Sequence, residues 1–484
     1  MKETARAHTL SKLENFLLSD WEKQGELLRD PDVAAAAKIW LGDAAFSELK
    51  QFSDPGKAHL GSGPRNILFA PGVMGSTLQS AGLGGVWWLD MMFARDKLEL
   101  LELCADGEHD KDPKADIQPA TIDVLYVPFR RAIASSDSFG GSEHFPYDWR
   151  KPLVNSADAL RKRILQCAAE TGKPVHLVGH SMGGLVIRCT LMLHGKELWP
   201  KIGKVVFVGT PHYGSPSIAG YLKNHLWGFE ALAVMGMFLS REAFRSMRGV
   251  LSLLPAPVGI YPGTRQGAKD HPCANFDLYD AQAWKLDLDT SQTVQLQVSL
   301  DAASQFHREL QAWHEVLLQE YKDRMLMIVG VGEEGLFRLE FSSHFWGAWE
   351  HTKKVCGRIP GDVNREGDGR VPLASAELED VTLRYVKGSH GGLPNVSAVA
   401  ADVAGVARRQ AAQAAQNSQR RIGTAFVSRR WHQPCTCARR QRQDLPLPQL
   451  ARLRIADPGI QGQHREESRC RAYAGGQQGA IALN

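Results

Sequence analysis

The sequence lacks an apolar run long enough to cross a bilayer. Its longest, LWGFEALAVMGMFL from Leu226 to Leu239, carries Glu230 and falls short of the roughly 20 residues a spanning helix needs. It also lacks the apolar core and small-residue cleavage site of a signal peptide: the start, MKETARAHTLSKLENFLLSDWEK, is charged and helix-like, so export by that route is not expected. No glycine loop has the G-x-G-x-x-G spacing of a dinucleotide site, and no internal repeat is found. The eight cysteines have no framework spacing, and the five in the body (Cys104, Cys167, Cys189, Cys273, Cys356) cannot all pair, which points to a reduced, cytoplasmic setting. CTC near His432 has too few ligands for zinc, and neither metal nor cofactor is expected.

What remains is an ordinary globular composition, 43% hydrophobic and 23% charged over 484 residues, enough for one large domain with insertions. The net charge of +4 is unevenly spread. From Arg408 onward there are fourteen arginines, no lysine and four acids, so the tail is basic and the rest acidic. With its glutamines and LPLPQLARLR, residues 408–484 are expected to be a disordered tail. Such a tail could meet an anionic partner, nucleic acid or a lipid surface, but composition favours a plain solvated extension, and nucleic acid is not an expected partner.

Between the ends, short apolar runs close on Gly, Pro or Ser: RNILFAPG (65–72), PVHLVGHS (174–181), KVVFVGTP (204–211), RMLMIVGVG (324–332) and VTLRYVKG (381–388). Helical patterns separate several of them, as from Asn155 to Thr171, where Ser156 is placed to cap the first turn and Leu160, Ile164 and Cys167 share a face. This predicts an α/β fold, a mostly parallel sheet with helices on both faces.

PVHLVGHSMGGLVIRCT switches from strand spacing to helical spacing at Gly-His-Ser-Met-Gly-Gly. A serine at such a turn is pushed out of the sheet, and the following helix aims its free N–H groups and positive end at charge developing there. Ser181 is therefore the candidate nucleophile, although G-x-S-x-G alone is a short motif that structural turns also use. Ligand sites in open parallel sheets gather at the carboxyl ends of the strands. There, APGVMGSTL can present the N–H of Val73 beside the serine, with the N–H of Met182 as second oxyanion donor. Asp368 in REGDGRVPL and His390 in VKGSHGGL each follow a strand. Either alone reads as a turn or surface residue, but the chain order Ser181, Asp368, His390 is that of an α/β-hydrolase triad.

PGVMGSTL, PYDWR (Pro146 to Arg150), GHSMGG, GDGRVP and SHGG, in this order from about Arg65 to Val396, resemble the lecithin:cholesterol acyltransferase family of α/β-hydrolases, which includes lysosomal phospholipase A2 and phospholipid:diacylglycerol acyltransferases. The resemblance implies an α/β-hydrolase fold, Ser181, Asp368 and His390 as the triad, Val73 and Met182 at the oxyanion hole, and an acyl-serine formed from a lipid ester. Asp148 and Trp149 would be structural, within a buried Asp–Arg network at a strand end. Exported members carry a signal and a disulfide near the lid; this chain shows no such signal and no cysteine pair around Trp87, so a cytoplasmic relative is expected.

The expected organisation is a helical extension over 1–60, a hydrolase domain over 61–407 with cap or lid insertions near 80–115 and 216–270, and the tail over 408–484. VWWLDMMF (86–93) and the run from Leu226 would overlie the site, making Trp87, Trp88, Met92, Phe93, Leu226, Trp227 and Phe229 candidates for contact with an acyl chain or, peripherally, a membrane. The same residues also fit an immobile packed cap. Three functions stay open here: a lipid-directed acyltransferase or lipase, a small-ester hydrolase or lactonase with the same triad, and a non-catalytic binding protein on a hydrolase fold, which five intact motifs disfavour.

Overall fold

The computed structural model describes residues 21–52, 63–83, 99–136, 142–223, 241–333, 338–341, 349–352 and 367–405, with residues 12, 15, 16, 19 and 335 besides. Five strands form where apolar runs predict them: β1 (Ile67–Ala70), β5 (Val175–His180), β6 (Ile202–Val208), β7 (Met325–Val331) and β10 (Thr382–Lys387). The sequence pattern did not predict β2 (Ser76–Ser80), β3 (Ile117–Ile122), β4 (Ser142–His144), β8 (Arg338–Phe341) or β9 (Trp349–Thr352).

The main sheet has the order β10-β7-β6-β5-β1-β4, and every neighbouring pair is parallel. Two antiparallel pairs, β2 with β3 and β8 with β9, stand apart from it. Alternation along the central strands builds two cores. Leu68, Leu177, Val205, Phe207, Met325 and Met327 face one core, and Ile67, Phe69, Val178, Val206, Val208 and Ile328 face the other. Most positions of β1, β5, β6 and β7 are thus apolar, as strands covered on both faces require.

Helices α1 (Trp21–Leu27) and α2 (Pro31–Phe52) precede the sheet. Helix α3 (Val127–Ala134) packs Phe129 and Ile133 on the second core, together with Val399 and Val403 of the helical residues 397–405. Helices α4 (Leu153–Thr171) and α5 (Met182–Leu198) cover the first core with Leu160, Ile164, Leu185 and Val186, and α6 (Pro216–Lys223) and α7 (Thr290–Val316) add Ile218, Leu300 and Leu310.

Helix α4 corrects one expectation. It starts at Leu153 after Pro152 in extended conformation, with no side-chain cap, and Ser156 lies buried inside the helix. Pro152 holds the N-cap position and has no side-chain acceptor, while Ser156 lies too far inside the helix to cap its first turn.

The connection from β1 leads to β4 on one side, whereas β5 lies on its other side. A crevice opens at such a switch point, at the carboxyl ends of β1 and β5. Among the described residues no helix is long and apolar enough to cross a membrane. Residues 406–484, which include the tail, lie outside the described residues.

Candidate active site

Ser181 stands between β5 and α5 with φ 52° and ψ −125°, a left-handed conformation that costs a non-glycine residue strain of order 1–3 kcal/mol. A serine at a helix N-terminus ordinarily caps it, but this one makes no cap hydrogen bond. Its hydroxyl is instead 2.8 Å from Nε2 of His390. The turn is held by Ser181 N–H donating to Val208 C=O and Gly184 N–H donating to Ser181 C=O.

Close packing sets the surroundings. A Cβ on Gly183 would sit 2.2 Å from the carbonyl oxygen of Ala70, so the first turn of α5 lies directly against the end of β1. A Cβ on Gly72 would sit 3.0 Å from Ser181 Cβ, which puts the Gly72–Val73 loop beside the serine. Gly75 N–H donates to Gly72 C=O at 3.0 Å and closes that loop, with Met74 at φ 61°. Met182 is the first residue of α5, where a backbone N–H has no partner within the helix. The N–H groups of Val73 and Met182 thus belong to two segments that meet at Ser181.

His390 opens a short 3-10 turn (His390–Asn395) after β10, and its Nδ1 is 2.7 Å from Oδ2 of Asp368. Asp368 is 2% exposed; its Oδ1 accepts from Arg370 N–H at 3.0 Å and Val371 N–H at 2.8 Å. Its backbone C=O also accepts from His390 N–H at 2.8 Å. Gly209, at φ +55°, passes so near that a Cβ there would meet Asp368 Oδ2 at 3.1 Å. The three predicted residues, far apart in sequence, therefore form one hydrogen-bonded chain at the carboxyl ends of β5, β7 and β10.

PYDWR lies behind the site. Arg150, fully buried, donates to both carboxylate oxygens of Asp148, Nε–Oδ1 at 2.9 Å and Nη2–Oδ2 at 2.7 Å, and pairs with Asp110 at 2.9 Å. Trp149 Nε1 donates to Ser76 C=O, and Tyr147 donates its hydroxyl proton to Pro71 C=O at 2.9 Å, directly before the Gly72–Val73 loop. The motif therefore braces that loop.

Two residues that the motifs left unread complete the site. Tyr126 Oη accepts from Gly72 N–H at 3.0 Å and is 2.8 Å from Nδ1 of His180, whose Nε2 is 2.9 Å from the carbonyl oxygen of His390. Burial, with the nearby His390 adding to it, pushes the His180 imidazole down to about 3. His180 could have been noticed as the middle residue of GHS; nothing local marks Tyr126.

Trp87, Trp88, Met92, Phe93, Leu226, Trp227 and Phe229 lie outside the described residues, as do the whole of the apolar runs 86–93 and 226–239. Among the described residues no group of three or more His, Cys, Asp or Glu is arranged to hold a metal.

The sheet order, the serine turn and the site at the strand ends make this an α/β-hydrolase fold. Against solved structures, the chain superposes on the Tle4–Tli4 complex with a TM-score of 0.52 at 16% identity, covering 72% of this chain and 98% of that one. Similar by the same comparison are the mature lipase BlEst2 of Bacillus licheniformis (TM-score 0.33, 14% identity, 70% and 89% covered) and the monoacylglycerol lipase of Paleococcus ferrophilus (0.28, 12%, 72% and 98%). The family model for lecithin:cholesterol acyltransferase matches residues 142–321, so the resemblance is shown over the segment that holds PYDWR and GHSMGG; PGVMGSTL, GDGRVP and SHGG lie outside the match. No curated protein matches the chain. The family match supports a lipid-metabolising α/β-hydrolase.

Proposed function

We propose that the protein is a serine acyltransferase or lipase acting on a lipid ester through an acyl-serine intermediate. The observation that carries this reading is the hydrogen-bonded chain Ser181–His390–Asp368. Nε2 of His390 takes the Ser181 proton as Oγ attacks the ester carbonyl carbon. The N–H groups of Val73 and Met182 are the proposed donors to the oxygen that becomes negative, aided by the positive end of α5. Asp368 accepts from Nδ1, keeps the ring turned with Nε2 toward the serine and stabilises the imidazolium. Collapse of the tetrahedral intermediate breaks the ester bond, and His390 returns the proton to the departing alcohol. The acyl group, now on Ser181, passes to water or to a second alcohol whose proton His390 takes in turn. Which acceptor wins depends on water exclusion over the site rather than on these three residues.

In this reading residues 61–407 are the catalytic unit. The apolar character of 86–93 and 226–239 fits acyl-chain contacts, with Trp87, Trp88, Met92, Phe93, Leu226, Trp227 and Phe229 as candidates. The test is incubation with diacyl phospholipid vesicles, with and without a long-chain alcohol, followed by mass spectrometry of the lipids. Free fatty acid or acylated alcohol is expected, reduced about 10⁴-fold or more in Ser181→Ala. Unchanged phospholipid together with unchanged short-chain esters, from a folded sample, would contradict it.

A further inference from the structure

The polarity of the second hydrogen-bond chain is fixed at both ends. Gly72 N–H can only donate, so Tyr126 Oη accepts there and spends its own proton on His180 Nδ1. The carbonyl of His390 can only accept, so His180 Nε2 carries the proton and donates to it. Every proton then has one place, and His180 has neither a free donor nor a free acceptor. The chain starts one residue before Val73 and ends on the main chain of His390. His390 is thereby pinned through both backbone groups, its N–H by Asp368 and its C=O by His180.

The segment around Tyr126 touches the same two loops elsewhere. Asp123 N–H donates to Gly75 C=O at 2.8 Å, on the far side of the Val73 loop. Asn395, at the end of the turn that His390 opens, donates to Leu125 C=O at 2.6 Å and accepts from Phe129 N–H at 3.1 Å. Phe69 packs edge-to-face against Tyr126 and tilted against Phe129, with ring centroids 5.0 Å apart in each pair. A rigid hub between two loops that both meet one reacting carbonyl sets their separation, and misplacement by about 1 Å is worth up to about 100-fold in rate.

We propose that Tyr126 and His180 are positioning residues, a static chain that holds the Val73 loop and His390 at the spacing acyl transfer requires. This rests on the reading of Ser181 and His390 as nucleophile and base.

Tyr126→Phe keeps the ring packing and removes the hydroxyl, leaving Gly72 N–H and His180 Nδ1 without partners. The expected result is a roughly 10- to 100-fold fall in kcat toward a soluble short-chain ester with KM unchanged. His180→Gln, which keeps an acceptor and a donor in one planar amide, should retain more of kcat than His180→Leu. Independently of activity, nitrogen-15 NMR of the native protein should find His180 protonated at Nε2 and bare at Nδ1. Overturning results are an undiminished kcat in Tyr126→Phe, a loss lying wholly in KM, Gln no better than Leu at position 180, or the opposite tautomer. If the native chain does not react at Ser181, the hydrolase reading falls and this role with it. If it reacts and Tyr126→Phe reacts equally well, only the positioning chain falls.

Discussion

Two hydrogen-bond chains run side by side through the site, and their ends differ. One runs from the Asp368 carboxylate through His390 to the Ser181 hydroxyl; the other from Gly72 N–H through Tyr126 and His180 to the His390 carbonyl. The two imidazoles are close, with ring centroids 5.1 Å apart. The first chain ends on a hydroxyl, whose proton can leave, and on a carboxylate, which can stabilise the charge that results. The second ends on an amide N–H and a carbonyl, neither of which can give up or take a proton under ordinary conditions. Burial alone therefore does not decide which histidine is reactive; the chemical type of the end groups does.

The largest effect short of removing the nucleophile is expected from Asp368→Asn. It takes away the charge that stabilises a protonated His390, and kcat toward a short-chain ester should fall by about 10³- to 10⁴-fold with the melting temperature little changed. A loss under tenfold would make the two chains functionally alike and break the comparison.

Next comes the network behind the Val73 loop. Arg150→Ala leaves the buried Asp110 carboxylate without its cation and Asp148 with only Lys151 at 3.7 Å, at an expected cost of about 3–5 kcal/mol in unfolding free energy, measured by denaturant titration. A change below 1 kcal/mol would remove PYDWR as the brace behind the Val73 loop.

Acid tests whether burial keeps His180 and His307 neutral. Above pH 6.5 His180 is neutral folded or unfolded. Below it the unfolded chain binds a proton that the folded site refuses until pH about 3, and His307, buried against Leu254 C=O, behaves alike down to about 4. Stability is thus fully present above pH 6.5 and falls as pH drops toward 4, by about 2 kcal/mol per ring at pH 5. Denaturation midpoints equal at pH 7 and pH 5 would contradict this. The smallest expected effect is the 10- to 100-fold fall in kcat for Tyr126→Phe, which asks whether the second chain matters to rate at all.

The sequence made the first chain legible and hid the second, for a physical reason. Ser181, Asp368 and His390 each sit at a strand end marked by glycines, so local pattern and the order of a known motif set locate them. Tyr126 sits in VLYVPF, where nothing but its placement over Gly72 and Gly75 gives it meaning, and placement is tertiary. Four of the five predicted strands, β1, β5, β6 and β7, were readable because both faces are buried; β10, TLRYVK, is half-exposed and was readable from its β-branched and aromatic residues closing on glycine. Strands β2 and β4 read STLQS and SEH, with no apolar run, and β3 contains Pro119; their pairing is imposed by neighbours. Ser156 misled because a serine near a helix start suggests a cap, whereas Pro152 had already set the entry.

The most direct test of the central claim is mass spectrometry of the native protein and His390→Ala after exposure to a long-chain fluorophosphonate. Modification confined to the Ser181 peptide, and abolished or slowed at least about 10³-fold without His390, is the predicted result. An unmodified Ser181 in folded native protein, or one modified equally fast without His390, would contradict it.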